Sequence, residues 1–145
     1  IGNRIEGTFN YGIRLYDNVE AEIFSNLIKG GTVGIAVEGT SNVRIMFNKF
    51  TNLTTPISVE INAIAKISKN EGYVTENSGT ATIPAGSTSV TVNHGLVSTP
   101  SKVLVTPLGD PGDRYWVANV TDTRFDIVVA TAPSSDITFY WHAEV

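Results

Sequence analysis

The chain has 145 residues, of which 41% are hydrophobic and only 17% charged, and it contains no cysteine. Disulfides and thiolate metal sites are thereby excluded, and a net charge of −4 argues against duplex nucleic acid, whose phosphates demand a basic face. No apolar run is long enough to span a bilayer as a helix and no segment reads as a signal peptide, so membrane insertion is not expected.

Thr, Ser, Val, Ile, Asn and Gly dominate, a composition that favours strands and turns over helices. Charge divides the chain. Residues 1–72 carry seven Lys/Arg and seven Asp/Glu, whereas residues 73–145 carry three against seven. That shift predicts two units. The chain opens on Ile1 inside a pattern that is already repetitive, which predicts a fragment of a longer protein.

The first half repeats every 22 residues. Ile23, Ile45 and Ile67 fall at this spacing, and so do Asn26, Asn48 and Asn70. Ile13, Ile35 and Ile57 form another column, followed two residues later by Leu15, Val37 and Val59. Apolar residues come in pairs two apart, the period of a strand. A repeat of this length with short strands predicts a stack of coils in which each residue lies above its counterpart, about 4.8 Å away. Isoleucines then form an apolar spine and asparagines a ladder, each amide donating to one neighbour and accepting from the other. Arg4 occupies the place of the asparagine in the first coil, so the ladder is expected to start at Asn26.

Outward columns carry the candidate chemistry of this half. Glu22, Arg44 and Lys66 read as a surface charge ladder. Tyr16, Glu38 and Glu60 share a second column. Paired carboxylates are what glycoside cleavage requires, so Glu38 and Glu60 are catalytic candidates beside a stacking tyrosine. The alternative is two solvated glutamates that splay apart.

After Lys69 the register fails, and residues 73–79 read as a connector. Strands are predicted at 80–83, 87–92, 102–107, 115–120, 124–129 and 136–145, separated by turn clusters; five of the six prolines lie beyond residue 80. Six short alternating strands predict an antiparallel β-sandwich over 80–145. The expected fold is therefore all-β, with about three 22-residue parallel β-helix coils over 1–72 and a six-stranded sandwich after them.

The loop "LGDPGDR" places Asp110, Asp113 and Arg114 next to Tyr115 and Trp116, a combination able to stack on a sugar and hydrogen-bond its hydroxyls. A turn with solvated acids and one ring in the core is the other reading. Alternation predicts Trp141 in the core and His142 on the surface, and His94 in "NHG" reads as a turn residue before Gly95. Two carboxylates three residues apart lack the oxygen spacing of a calcium loop. No metal or cofactor is expected, and no nucleophilic triad or phosphate loop is present.

The 22-residue columns resemble the right-handed β-helices of the pectate-lyase and tailspike type, in which asparagine ladders occur at turns. The segments "VTVNHGLVSTPSKVLVTP", "YWVANVTDTRFDIVV" and "ITFYWHAEV" resemble the C-terminal sandwich module of phage tail fibres and, more distantly, the H-type lectins. These resemblances imply a homotrimeric fibre or tailspike, on a virion tail or at a cell surface, capped and trimerised by the sandwich. They also imply contact with a cell-surface glycan. Lectins of that type hold sugar with a Trp-His pair before the last strand. Here that loop, Ala130 to Asp136, has no aromatic residue, and Trp141-His142 lies within the strand, a departure from the lectin pattern that leaves His142 one ligand candidate beside Asp110, Asp113, Arg114, Tyr115 and Trp116. The alternatives are part of a polysaccharide lyase or hydrolase using Glu38 and Glu60, or a carbohydrate-binding module.

Overall fold

The computed structural model describes residues 1–145. It is all-β, with fifteen strands and no helix, and divides into two compact units, Ile1–Val74 and Thr75–Val145.

The first unit is a short parallel β-helix. Its first coil holds β1 (Arg4–Glu6), β2 (Tyr11–Leu15) and β3 (Glu20–Phe24), and its second holds β4 (Leu27–Lys29), β5 (Val33–Val37) and β6 (Asn42–Met46). The third holds β7 (Lys49–Thr51), β8 (Thr55–Val59) and β9 (Ile64–Ser68). Strands stack as β1-β4-β7, β2-β5-β8 and β3-β6-β9, all parallel. The register sets Ile13 on Ile35 on Ile57, and Ile23 on Ile45 on Ile67. Ile35, Val37 and Ile45 of the middle coil are fully buried, because only that coil has a neighbour on both sides.

The asparagine ladder runs through the corner between the third strand of one coil and the first of the next. Asn48 Oδ1 accepts from the Asn26 backbone N–H at 3.0 Å and from Asn26 Nδ2 at 2.9 Å. Asn70 Oδ1 accepts the same pair from Asn48, at 2.9 and 3.0 Å. The remaining amide hydrogens go to carbonyls: the second hydrogen of Asn48 Nδ2 is shared between Ile23 O and Met46 O, and Asn70 Nδ2 donates to Ile45 O and Ser68 O.

The ladder has one rung more than the fixed period predicts. Arg4 pairs with Leu27, a spacing of 23, and Asn3 donates to Asn26 Oδ1 through both its backbone N–H and Nδ2. The extra residue lies in Gly7–Asn10, four residues between β1 and β2 where three join β4 to β5. The ladder therefore starts at Asn3, and Arg4 is the residue after the rung.

Each rung follows a residue in the left-handed region. Gly2, Ser25, Phe47 and Lys69 have φ of 70°, 56°, 58° and 53°. That conformation costs a non-glycine residue about 1–2 kcal/mol. It turns the chain between two strands, and the hydrogen-bonded asparagine that follows holds it there.

The core closes within this unit by a tight turn. Gly72, at φ 81°, lies so near the Phe50 carbonyl that a Cβ would sit 2.4 Å from its oxygen. The turn bridges Asn70 to Tyr73, and Tyr73 packs against the apolar cluster of the coils. Burial pushes the Tyr73 phenol above its ordinary pKa.

The second unit is a six-stranded antiparallel sandwich. One sheet has the order β10 (Glu76–Ile83), β15 (Ile137–Glu144), β12 (Lys102–Pro107). The other has the order β11 (Ser89–Asn93), β14 (Arg124–Val129), β13 (Tyr115–Ala118). Ile83, Phe125, Ile127, Val129, Phe139 and Ala143 fill the space between them. Trp141 is buried as its alternation predicts, edge-on to Phe125 with ring centroids 5.7 Å apart.

The segment read as connector contributes half a strand. Glu76 to Gly79 pair with Glu144 to Trp141, so β10 begins four residues before the predicted start. Gly79 marks a close approach and not a turn: a Cβ there would meet the Trp141 indole at 3.1 Å. β13 is shorter than expected because Asn119, at φ 49°, ends it. His94 is a turn residue as expected, with Gly95 at φ 66°, yet its ring is fully buried. Nδ1 accepts the Leu96 N–H at 3.0 Å, which leaves Nε2 to donate to Thr121 O at 3.1 Å.

The ladder predicts a graded response to truncation. Asn48→Ala removes the acceptor of the buried Asn26 N–H and Nδ2 and should cost about 3 kcal/mol, whereas exposed Asn3→Ala should cost less than about 1 kcal/mol. Urea unfolding of the two variants beside wild type measures the difference.

Candidate functional site

On the β-helix, Glu38 and Glu60 occupy successive rungs, their N–H groups donating to Leu15 O and Val37 O. Both carboxylates already have partners. Glu38 accepts two bonds from Arg14 Nε at 3.0 Å and one from Nη2 at 2.8 Å. Glu60 Oε2 accepts the Gly39 N–H at 2.9 Å. The column thus holds an ion pair and a turn cap in place of two free carboxylates. Arg14 reaches Glu38 diagonally because its own column continues with small Ala36, which is buried. Its guanidinium also lies 4.8 Å from the Tyr11 ring and 5.4 Å from the Tyr16 ring. The Glu38 hydrogen bonds raise the Arg14 pKa further above its usual value.

Along the next face, Arg44 Nη1 lies 3.5 Å from Glu22 Oε1, as the charge ladder predicts. Both side chains are more than half exposed, so the pair contributes little to stability.

In the sandwich, the candidate ligand residues are spread over three places. Asp110 Oδ1 accepts the Gly112 N–H at 2.9 Å, which shapes its own turn. Asp113 and Arg114 make only a long 3.9 Å contact with each other, and Arg114 is largely exposed. Tyr115 tilts against the core ring of Phe139, with centroids 5.6 Å apart. Trp116 points the other way, being 46% exposed and paired in register with Val128. His142 lies on the opposite sheet, paired with Ser78 and Leu104, with Nε2 3.5 Å from Glu144 Oε2. The Glu144 carboxyl is held below its ordinary pKa by Lys102 first and His142 second.

Trp116 therefore has different neighbours from those its position in the sequence suggests. The outward row of β13, β14 and β11 that contains it is Trp116, Val128, Ser89, and the next is Ala118, Asp126, Thr91. Asp126 is the fixed group of this face. Its Oδ1 accepts from Thr91 Oγ1 at 2.7 Å, and its Oδ2 from Asn119 Nδ2 at 2.6 Å. These bonds, Asn119 first and Thr91 second, lower the Asp126 pKa below its usual value. The signal for this cluster was strand alternation on three non-adjacent segments, which becomes informative only once their pairing is known. No family model matches the chain, and no curated protein matches it.

A carboxyl with a lowered pKa stabilises the fold above its unfolded pKa, and that contribution is lost as pH falls through the folded value. Carbon-13 NMR titration should give an Asp126 midpoint below the ordinary 3.8, and Thr91→Val should move it upward by removing one donor.

Proposed function

We propose that this chain is part of a trimeric β-helical fibre or tailspike of phage type. Its coils are the shaft, and its sandwich closes and registers the trimer and meets a surface glycan. The role is structural, exercised on a virion tail or at a cell surface.

The observation that carries this reading is the third coil. β8 and β9 each keep one unpaired edge, and Ile61 and Ile64 beside them are 97% and 60% exposed. An isolated three-coil stack with such an end invites association. Leu104 and Tyr140, 56% and 54% exposed on the outward face of β12 and β15, add apolar surface of the kind a closed cyclic assembly covers. The cleavage reading has less support, because Glu38 and Glu60 are already engaged by Arg14 and Gly39.

Light scattering at micromolar concentration should give three times the 15.6 kDa chain mass. A mass of one chain would defeat the trimer.

A further inference from the structure

We propose that the outer face of β11, β13 and β14 binds a neutral saccharide, with the Trp116 indole as the stacking surface and the Asp126 carboxylate as the acceptor for ring hydroxyls. This assignment deepens the glycan contact within the proposed function and rests on that part alone, not on trimerisation.

Three properties of the face carry it. The first is an aromatic surface that the fold leaves free. Trp116 is nearly half exposed at an outward position, and the next outward residue on its strand is Ala118, whose methyl leaves the flank of the indole open. The C–H face of a pyranose packs on such a ring as any apolar surface does. The second is an oriented acceptor at the right span. Asp126 is the diagonal neighbour of Trp116 on the adjacent strand, and such positions lie about 7–8 Å apart. That distance suits one sugar ring on the indole with its hydroxyls directed at the carboxylate. The third is the way Asp126 is held. Each of its oxygens takes one bond from a neutral donor, Thr91 or Asn119, and keeps a lone-pair direction for another. Such a fixed carboxylate accepts hydroxyl donors without first breaking an ion pair.

Charge selects among glycans. Residues 75–145 hold three Lys/Arg against seven Asp/Glu, a net excess of acid that disfavours a sialylated or uronic chain at long range. Arg124, two residues from Asp126 on the same outward side of β14, is the one cation next to the carboxylate. Neutral hexoses and N-acetylhexosamines suit it.

The groove of about 320 Å³ lined by residues 110–112, 131–135 and 137 offers a ligand no aromatic side chain to stack on. Its one carboxylate, Asp110, accepts the Gly112 N–H through Oδ1 and shapes its own turn.

The test uses the full chain on immobilised oligosaccharides ending in glucose, galactose or N-acetylglucosamine, with sialylated counterparts beside them. Wild type should bind at least one neutral glycan and bind its sialylated form less. Trp116→Ala should weaken binding by about tenfold or more, as truncation of an aromatic anchor does, while Trp116→Tyr keeps most of it. Asp126→Asn should also weaken it, with circular dichroism confirming the fold. Tryptophan emission should shift on adding the bound sugar to wild type and stay unchanged in Trp116→Ala, because the other tryptophan, Trp141, is buried. Absence of binding to every neutral glycan, equal binding by Trp116→Ala, or preference for the sialylated forms would overturn the assignment. A trimer by mass that binds no neutral glycan sinks this site alone. A monomer that binds sinks the trimer alone.

Discussion

The first unit depends on one corner, made of a left-handed residue followed by a ladder asparagine. The left-handed turn costs about 1–2 kcal/mol where the residue is Ser25, Phe47 or Lys69. What offsets it is the asparagine amide, which receives both a backbone and a side-chain hydrogen from the coil before it and returns its own hydrogens to nearby atoms. No buried side-chain polar atom is left without a partner. The corner also sets the register. A slip of one residue would turn the Ile23, Ile45 and Ile67 column outward and remove every rung at once.

Because the corner fixes the register, spacing elsewhere can vary. The first coil carries an additional residue between β1 and β2, yet Asn3 still meets Asn26 and Ile5 still meets Ile28. A turn on the outside of a solenoid absorbs insertions at little cost, since only the strand and corner positions are stacked. The repeat is thus better described as a recurrence of corners than as a length of 22.

This distinction explains what could be read from the sequence and what could not. Columns that stack directly were legible, since Ile35, Ile45, Asn48 and Val37 need only a fixed offset to be found. Asn3 was hidden by the insertion. The left-handed residues were hidden because Ser, Phe and Lys carry no local signal for that conformation. The Arg14–Glu38 pair was hidden because its members lie 24 residues apart, off the 22-residue columns that set Glu38 above Glu60. In the sandwich, alternation placed Trp141 correctly, and Gly79 misled because a glycine that makes room for an indole looks the same in sequence as one that makes a turn. Alternation also separates Tyr115 from Trp116, but the partners of Trp116 come from β14 and β11, and pairing across strands is a tertiary property.

The sandwich's two outer faces differ in chemistry, and that difference lets both proposed roles belong to one small module. Leu104 and Tyr140 on one sheet are apolar groups beside the Lys102–Glu144 ion pair, the kind of mixture that packs against another protein surface. The other sheet offers a single indole next to a hydrogen-bonded carboxylate, an arrangement suited to a ligand with many hydroxyls. A shared core of Phe125, Phe139 and Trp141 keeps the two faces back to back. Alternation along β14 and β15 then assigns each residue either to that core or to one of the surfaces, so assembly through one face leaves the other open to solvent.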